Sequence, residues 1–432
     1  MKRTPVKIGL GAALCAAGLL SAVPTQAANW LLLQGTEPAS AVGRAKPWGF
    51  IQAQYQQDFS DPVVAGNGDE LYNPAKLIGP NLDDQSQFNV NRARIGLRGA
   101  NFPLDSRTNY FILVEFGNNG ITHAGDGFAH LTDASVTLNH IRGARIRAGL
   151  FKYPGAEEGL QAIHVFDYIN FTSVSNQLLL ERFPTAGDSN AKPSTIPNAG
   201  LNHISEPVGA FRDTGVQIFD AFRHGPWETS YAVMLGNGSG LNMGDNDDNK
   251  DVYLYLSTEK IFGGRGPRRE GWKSFAWWQG GKRTNVYDPT QEEDRIRYGI
   301  GTKYLKRPFR LTAEFMKGKG MIFQGPHRPQ HLFNDGEASG GYIEGGWYIP
   351  GTRWELDLRY DTYTRDENHP TSKPGDESTF NTFTLGTQYH FNKKTRLNAE
   401  YAVRDFSSDT AAVDKHLKDV GGRLAIQLTA VF

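Results

Sequence analysis

Cysteine is almost absent from this chain. Its one example, Cys15, lies in an apolar stretch, Ile8 to Leu20, that follows Lys2, Arg3 and Lys7 and precedes Thr25-Gln26-Ala27. That order predicts a secretory signal peptide over residues 1–27, removed from the mature chain. Without Cys15 no thiol remains, which excludes disulfides, thiolate catalysis, cysteine-ligated metals and covalently attached haem. Long apolar runs are missing as well. No later stretch reaches the roughly 18 apolar residues of a membrane-spanning helix. An excess of either charge is also lacking: 43 Lys and Arg remain beyond residue 27 against 46 Asp and Glu, a net −3, which gives no support to nucleic-acid binding. The common hydrolase and nucleotide signatures G-x-S-x-G, P-loop and H-E-x-x-H do not occur, and the eleven histidines are scattered, with one near pair at His327 and His331. These absences predict neither an enzyme nor a bound cofactor.

What is present is alternation. From Val420 to Phe432, Leu424, Ile426, Leu428, Ala430 and Phe432 alternate with Arg423, Gln427 and Thr429. One face is apolar and the other wet, as in a sheet between lipid and water, although one such strand would also suit a soluble sandwich. Fifteen earlier segments repeat the pattern, near 48–57, 87–100, 107–118, 129–142, 144–152, 211–222, 227–237, 251–260, 272–281, 294–305, 308–318, 339–349, 353–365, 379–391 and 394–405. Their connections alternate between tight turns, such as Arg142-Gly143 and Pro350-Gly351-Thr352, and longer polar loops. An even strand number with alternating loop lengths predicts an all-β fold, a 16-stranded antiparallel transmembrane β-barrel over residues 48–432 in a bacterial outer membrane. Hydrophobic residues at only 39% fit a barrel that is apolar on one face alone.

Arginine on the lipid face would cost roughly 2–4 kcal/mol near the midplane, so the basic phase of each strand is assigned to the lumen. That phase carries Arg92, Arg94, Arg98, Arg145, Arg147, Arg295, Arg297, Lys303, Arg310, Arg353, Arg359, Arg396, Arg404 and Arg423. The inward acids are Glu115, Glu314, Glu355, Asp357, Asp361 and Glu400. Fourteen bases against six acids predict a lumen that favours anions, even if some arginines only brace the wall. Trp48, Phe50, Trp227, Tyr231, Trp277, Trp347, Trp354, Tyr360, Tyr389, Tyr401 and Phe432 are expected in interfacial girdles.

Two stretches break the pattern. Tyr153 to Ala210 is far longer than the other connections and partly apolar, so it is expected to fold into the barrel as a constriction loop. Residues 28–47 are expected as an N-terminal periplasmic segment, either a tail or a short plug. In one external loop, Asp245, Asp247, Asn249 and Asp251 place oxygen ligands at alternate positions. That is a weak calcium spacing without its later glutamate.

The runs Arg145-Ile146-Arg147-Ala148-Gly149-Leu150-Phe151-Lys152-Tyr153-Pro154, Glu181-Arg182-Phe183 and Phe211-Arg212-Asp213-Thr214-Gly215-Val216-Gln217, with Glu157 between the first two, resemble the phosphate-selective porin O and P family. Asn91-Arg92-Ala93-Arg94-Ile95-Gly96-Leu97-Arg98-Gly99 adds to the resemblance. It implies a homotrimeric outer-membrane porin with its third external loop folded inward and Glu181 and Arg182 at the constriction. The loop departs from the family's arginine ladder and lysine cluster: it carries only Arg182 and Lys192 against Glu157, Glu158, Asp167, Glu181, Asp188 and Glu206. The expectation is a passive channel for small anionic solutes such as phosphate, with Arg92, Arg94, Arg98, Arg145, Arg147, Arg295, Arg297, Lys303, Arg353 and Arg359 along the path. The alternative is a barrel sheath around a partner such as a multihaem cytochrome.

Overall fold

The computed structural model describes residues 29–33, 45–61, 63–64, 70–72, 85–123, 127–180, 182–184, 204–207, 210–241, 245, 248–264, 266, 268–284, 292–320, 322–323, 332–333, 336–367, 377–409 and 411–432. The expected signal peptide, Glu181, Asp247, His327 and His331 lie outside these residues.

Sixteen strands close into one barrel. In chain order they are Lys46–Asp58 (β1), Ser86–Ala100 (β2), Thr108–Glu115 (β3), His130–Leu138 (β4), Arg145–Lys152 (β5), Arg212–His224 (β6), Trp227–Gly236 (β7) and Asp251–Gly263 (β8). The second half comprises Glu270–Thr284 (β9), Glu292–Lys306 (β10), Phe309–Lys319 (β11), Glu337–Tyr348 (β12), Trp354–Glu367 (β13), Ser378–His390 (β14), Thr395–Ser408 (β15) and Arg423–Val431 (β16). Each strand pairs antiparallel with its neighbours in sequence, and β1 closes on β16 with Phe50 opposite Val431 and Asp58 opposite Arg423. The Phe432 N–H extends that seam by donating to the Gly49 carbonyl at 2.9 Å. Closure leaves no exposed sheet edge, which is what allows strands to stand in a bilayer. The tight turns work because Gly225 and Gly351 take φ of 59° and 74°, where a side chain would be strained.

Burial alternates along the strands as the sequence pattern predicts. Ile95, Ile300, Leu358 and Leu385 stand exposed on the outside, whereas Gln52, Arg94, Arg147, Arg297 and Gln427 are buried inside. The last strand starts later than expected. Val420 packs instead against a helix, Ala411–Lys418, in the preceding connection, where its N–H donates to the Leu417 carbonyl at 3.2 Å.

Three girdle assignments are corrected. Phe50 and Trp277 are buried on the lumen face, and Trp48 shares their inward orientation, 5.8 Å from the His164 ring. An aromatic ring suits either face, so residue type alone does not give its side. Trp227, Trp347, Trp354, Tyr360, Tyr401 and Phe432 are exposed on the outside.

Candidate functional site

Strand phase decides which cations reach the lumen. In β2 the register against β1 slips by one residue, Gln52 opposing Arg92 while Ala53 opposes Val90. This bulge turns both Asn91 and Arg92 inward, and it exposes Phe88 and Val90 on one phase and Ile95 on the other. The shift of apolar phase from Phe88 and Val90 to Ala93 and Ile95 was the signal for it in the sequence.

Strands β1–β6 carry a wall of closely spaced cations. Arg92 is buried and donates to the Gln52 amide oxygen at 3.1 Å. Beside it, Arg94 pairs with Glu115 at 2.6 Å and donates to Thr122 at 2.9 Å. Arg98 donates to the Leu33 carbonyl at 3.3 Å. On β5, Arg145 lies 3.4 Å from Asp220, while Arg147 donates to Thr137 at 3.2 Å and to the Leu31 carbonyl at 2.9 Å. The Arg147 guanidinium also lies 4.4 Å from the Phe219 ring centre, a cation–π contact. Lys152 and Arg212, which were not selected from sequence, complete this wall. Lys152 Nζ donates to the carbonyls of Gly159 and Gln161 at 2.7 and 2.5 Å, and Arg212 pairs with Asp133 at 3.0 Å.

On the opposite wall, β9–β15, most cations meet carboxylates, while Arg297 bonds carbonyls as Lys152 does. Arg310 meets Glu355 at 2.6 Å and Asp167 at 3.4 Å, bonds Asp357, and lies 4.0 Å from Glu344. Arg359 sits between Asp361 at 3.7 Å and Glu158 at 3.8 Å and donates to the Asn170 carbonyl at 2.9 Å. Arg295 donates to Gln279 at 3.2 Å and stands 3.6 Å from Asp251. Arg297 donates to the carbonyls of Leu178 and Gly320 at 3.1 and 2.8 Å. Lys303 bonds Glu157 at 3.1 Å. Arg353 precedes β13 in an exposed tight turn, donating to the Phe391 carbonyl at 3.2 Å, and so stands apart from the other nine.

Residues 153–180 are bonded to inward side chains around most of the barrel. The N–H groups of Ile169 and Ser173 donate to Glu400 and Asp361, both at 2.8 Å, and the Glu157 N–H to Glu314 at 3.1 Å. Asn398 donates to the Asp167 carbonyl at 2.9 Å, and Gln56 to the Asn170 side chain at 3.1 Å. Arg268, in the turn between β8 and β9, reaches Asp167 at 2.5 Å. These partners lie on β1, β11, β13 and β15 and in that turn, so the segment crosses the lumen. Its apolar residues Val174, Leu178, Leu179 and Leu180 are buried there. Arg182 opens a short strand, Arg182–Pro184, paired with Ile204–Pro207.

Burial alone would push the Glu157 carboxyl up, but Lys273 and Lys303 outweigh it and hold it down at about 2. Burial, reinforced by Arg396 and Arg94, pushes the His164 imidazole down to about 3.

Two expectations change here. The buried acids include Asp58, Asp133, Asp213, Asp220, Glu228, Asp251 and Glu344 from the wall and Glu157, Glu158 and Asp167 from the crossing segment, in addition to the six named from sequence. They narrow the margin of bases over acids, although Lys152, Arg212, Arg268, Arg269, Lys273 and Arg365 add to the bases. The calcium spacing also dissolves: Asp251 is buried against Tyr253 and Arg295, whereas Asp245 pairs with Lys250 at 3.2 Å in the loop. Among the described residues no three His, Cys, Asp or Glu side chains gather to hold a metal.

Comparison with known proteins agrees with the architecture. Residues 280–432 match the family described as phosphate-selective porin O and P. This match covers the C-terminal third, whereas the runs that first carried the resemblance lie upstream of it. Among solved structures, Salmonella typhi OmpF in complex with daunomycin is similar at a TM-score of 0.55 and 12% identity, over 90% of this chain and 97% of that one. An anion-selective porin from Comamonas acidovorans gives 0.51 and 13%, over 90% and 99%. Vibrio cholerae OmpT in a trimer form gives 0.50 and 10%, over 90% and 100%. No curated protein matches by sequence. The chain thus has the fold of a porin-type β-barrel.

Proposed function

We propose that the chain forms a passive, anion-preferring diffusion channel for small solutes and assembles as a homotrimer. The observation that carries this reading is the wall of β1–β6. Arg92, Arg147 and Lys152 are held there by amide, hydroxyl and carbonyl oxygens, which satisfy their donors without cancelling their charge. An anion passing this wall exchanges part of its hydration shell for that field. The path runs along Arg92, Arg94, Arg98, Arg145, Arg147 and Lys152, past the crossing segment 153–180, with Arg295, Arg297, Lys303 and Arg359 anchoring that segment or the facing wall.

Phosphate is the solute to try first, on the strength of the family match over residues 280–432. The trimer draws support from the similar OmpT barrel in its trimer form. The sheath alternative loses ground, because the lumen that a cytochrome would fill is crossed by the chain's own residues 153–180.

The test is chloride current through the purified protein in a planar bilayer, titrated with inorganic phosphate. Steady chloride conductance that phosphate lowers is the expected result. Conductance indifferent to phosphate would remove phosphate as the solute, and absence of conductance would remove the channel.

A further inference from the structure

Ahead of the barrel, Trp30–Leu33 forms one helical turn, with Trp30, Leu31 and Leu32 buried. Its partners are lumen residues far away in sequence. The Leu31 carbonyl accepts from Arg147 at 2.9 Å, the Leu33 carbonyl from Arg98 at 3.3 Å, and the Trp30 indole N–H donates to Glu157 at 3.1 Å. The apolar side chains belong to one buried cluster with Phe151, Leu160, Phe219 and Tyr255. Arg98 opposes Lys46 at the start of β1, and Arg147 is the third residue of β5, just after the tight turn at Arg142-Gly143, so both stand at the same end of the barrel. In the strand layout this is the periplasmic mouth.

We propose that Trp30–Leu33 is a tethered plug occupying an anion station formed by Arg98 and Arg147. The reading rests on the channel function above. Its carbonyl oxygens take guanidinium donors that a small oxyanion would otherwise use. The end carbonyls of so short a helix have no partners within the helix, so they are available for those donors. The indole bond to Glu157 ties the plug to the crossing segment, so one turn of backbone closes the route from below and braces the constriction above it. With the plug seated, passing anions meet the charge of Arg98 and Arg147 without bonding either; with it withdrawn, they can bond both directly.

Two measurements test this together. In the first, Trp30→Ser, Leu31→Gly, Leu32→Ser and Leu33→Gly are combined and single-channel conductance is compared with that of the unaltered protein. Folding of the variant is checked by its heat-dependent gel shift. The expected result is a rise of about twofold with stronger anion selectivity, because a wider mouth opens the donors of Arg98 and Arg147 to the passing anion. Unchanged conductance and selectivity would overturn the plug. In the second, Leu32→Cys in a Cys15→Ser background is labelled with a membrane-impermeant maleimide, with Thr352→Cys in an exposed turn as reference. Labelling about tenfold slower at Leu32→Cys is expected for a buried site, and equal rates would overturn the seat. Slow labelling in a protein without conductance would fault the channel reading and leave the seat standing.

Discussion

The two walls of the lumen contain the same residue types and use them differently. On β1–β6, Arg92, Arg147 and Lys152 bond neutral oxygens, and among the described residues no carboxylate lies within ion-pairing distance of these three. On β11–β13, Arg310 alone is met by Asp167, Glu344, Glu355 and Asp357. A guanidinium among carboxylates contributes rigidity and little field. One held by carbonyls keeps its positive charge for whatever passes. The difference is between cations neutralised by carboxylates and cations held by neutral oxygens, and in the proposed channel only the second kind would bear on selectivity.

The largest expected effect tests the bracing side. Arg310→Met leaves Glu355, Asp357 and Glu344 buried without their cation and should cost about 3–5 kcal/mol. Arg92→Gln, which removes a bond to one amide, should cost about 1 kcal/mol. Urea unfolding in detergent compares them, and equal losses would erase the distinction between the walls. Next in size is the crossing segment. Glu400→Ala removes the acceptor for the N–H groups of Ile169 and Asn170, at 2.8 and 3.2 Å, each such charge-assisted bond being worth about 1.5–3 kcal/mol. Larger and noisier single-channel conductance is expected. A quiet, unaltered trace would show that the segment does not depend on that wall.

The smallest effect concerns pH. Glu157 has a folded pKa of about 2, below its ordinary value of 4.5. Its contribution is therefore fully present above about 4.5 and is lost only as pH falls towards 2. Conductance should hold level from pH 7 to about 5 as far as this anchor decides, because Glu157 stays ionised throughout that range. A step in conductance near neutrality that disappears in Glu157→Gln would place the anchor's titration elsewhere.

The barrel was legible because period-two alternation and alternating loop lengths are local signals, and all sixteen segments appear as strands within a few residues of their expected ends. The inward phase of the arginines was legible for the same reason. Pairing was not. Arg310 meets Glu355 and Asp357 from 45 and 47 positions away, and Arg404 meets Asp58 from 346 positions away across the barrel seam. No spacing rule reaches those distances. Counting inward charges therefore missed Asp58, which closes the seam between Arg404 and Arg423, and Glu344 beside Arg310. Lys152 and Arg212 stood inside the runs that carried the family resemblance, yet their roles depend on partners at Gly159, Gln161 and Asp133 that only the folded chain brings near.

The most direct test of the central claim is the zero-current potential under a potassium chloride gradient, measured for the unaltered protein and for the double variant Arg92→Ser, Lys152→Ser. An anion-selective reversal that moves towards zero in the variant is predicted. Cation selectivity in the unaltered protein, or an anion preference that the double variant leaves untouched, would contradict the assignment of selectivity to the β1–β6 wall.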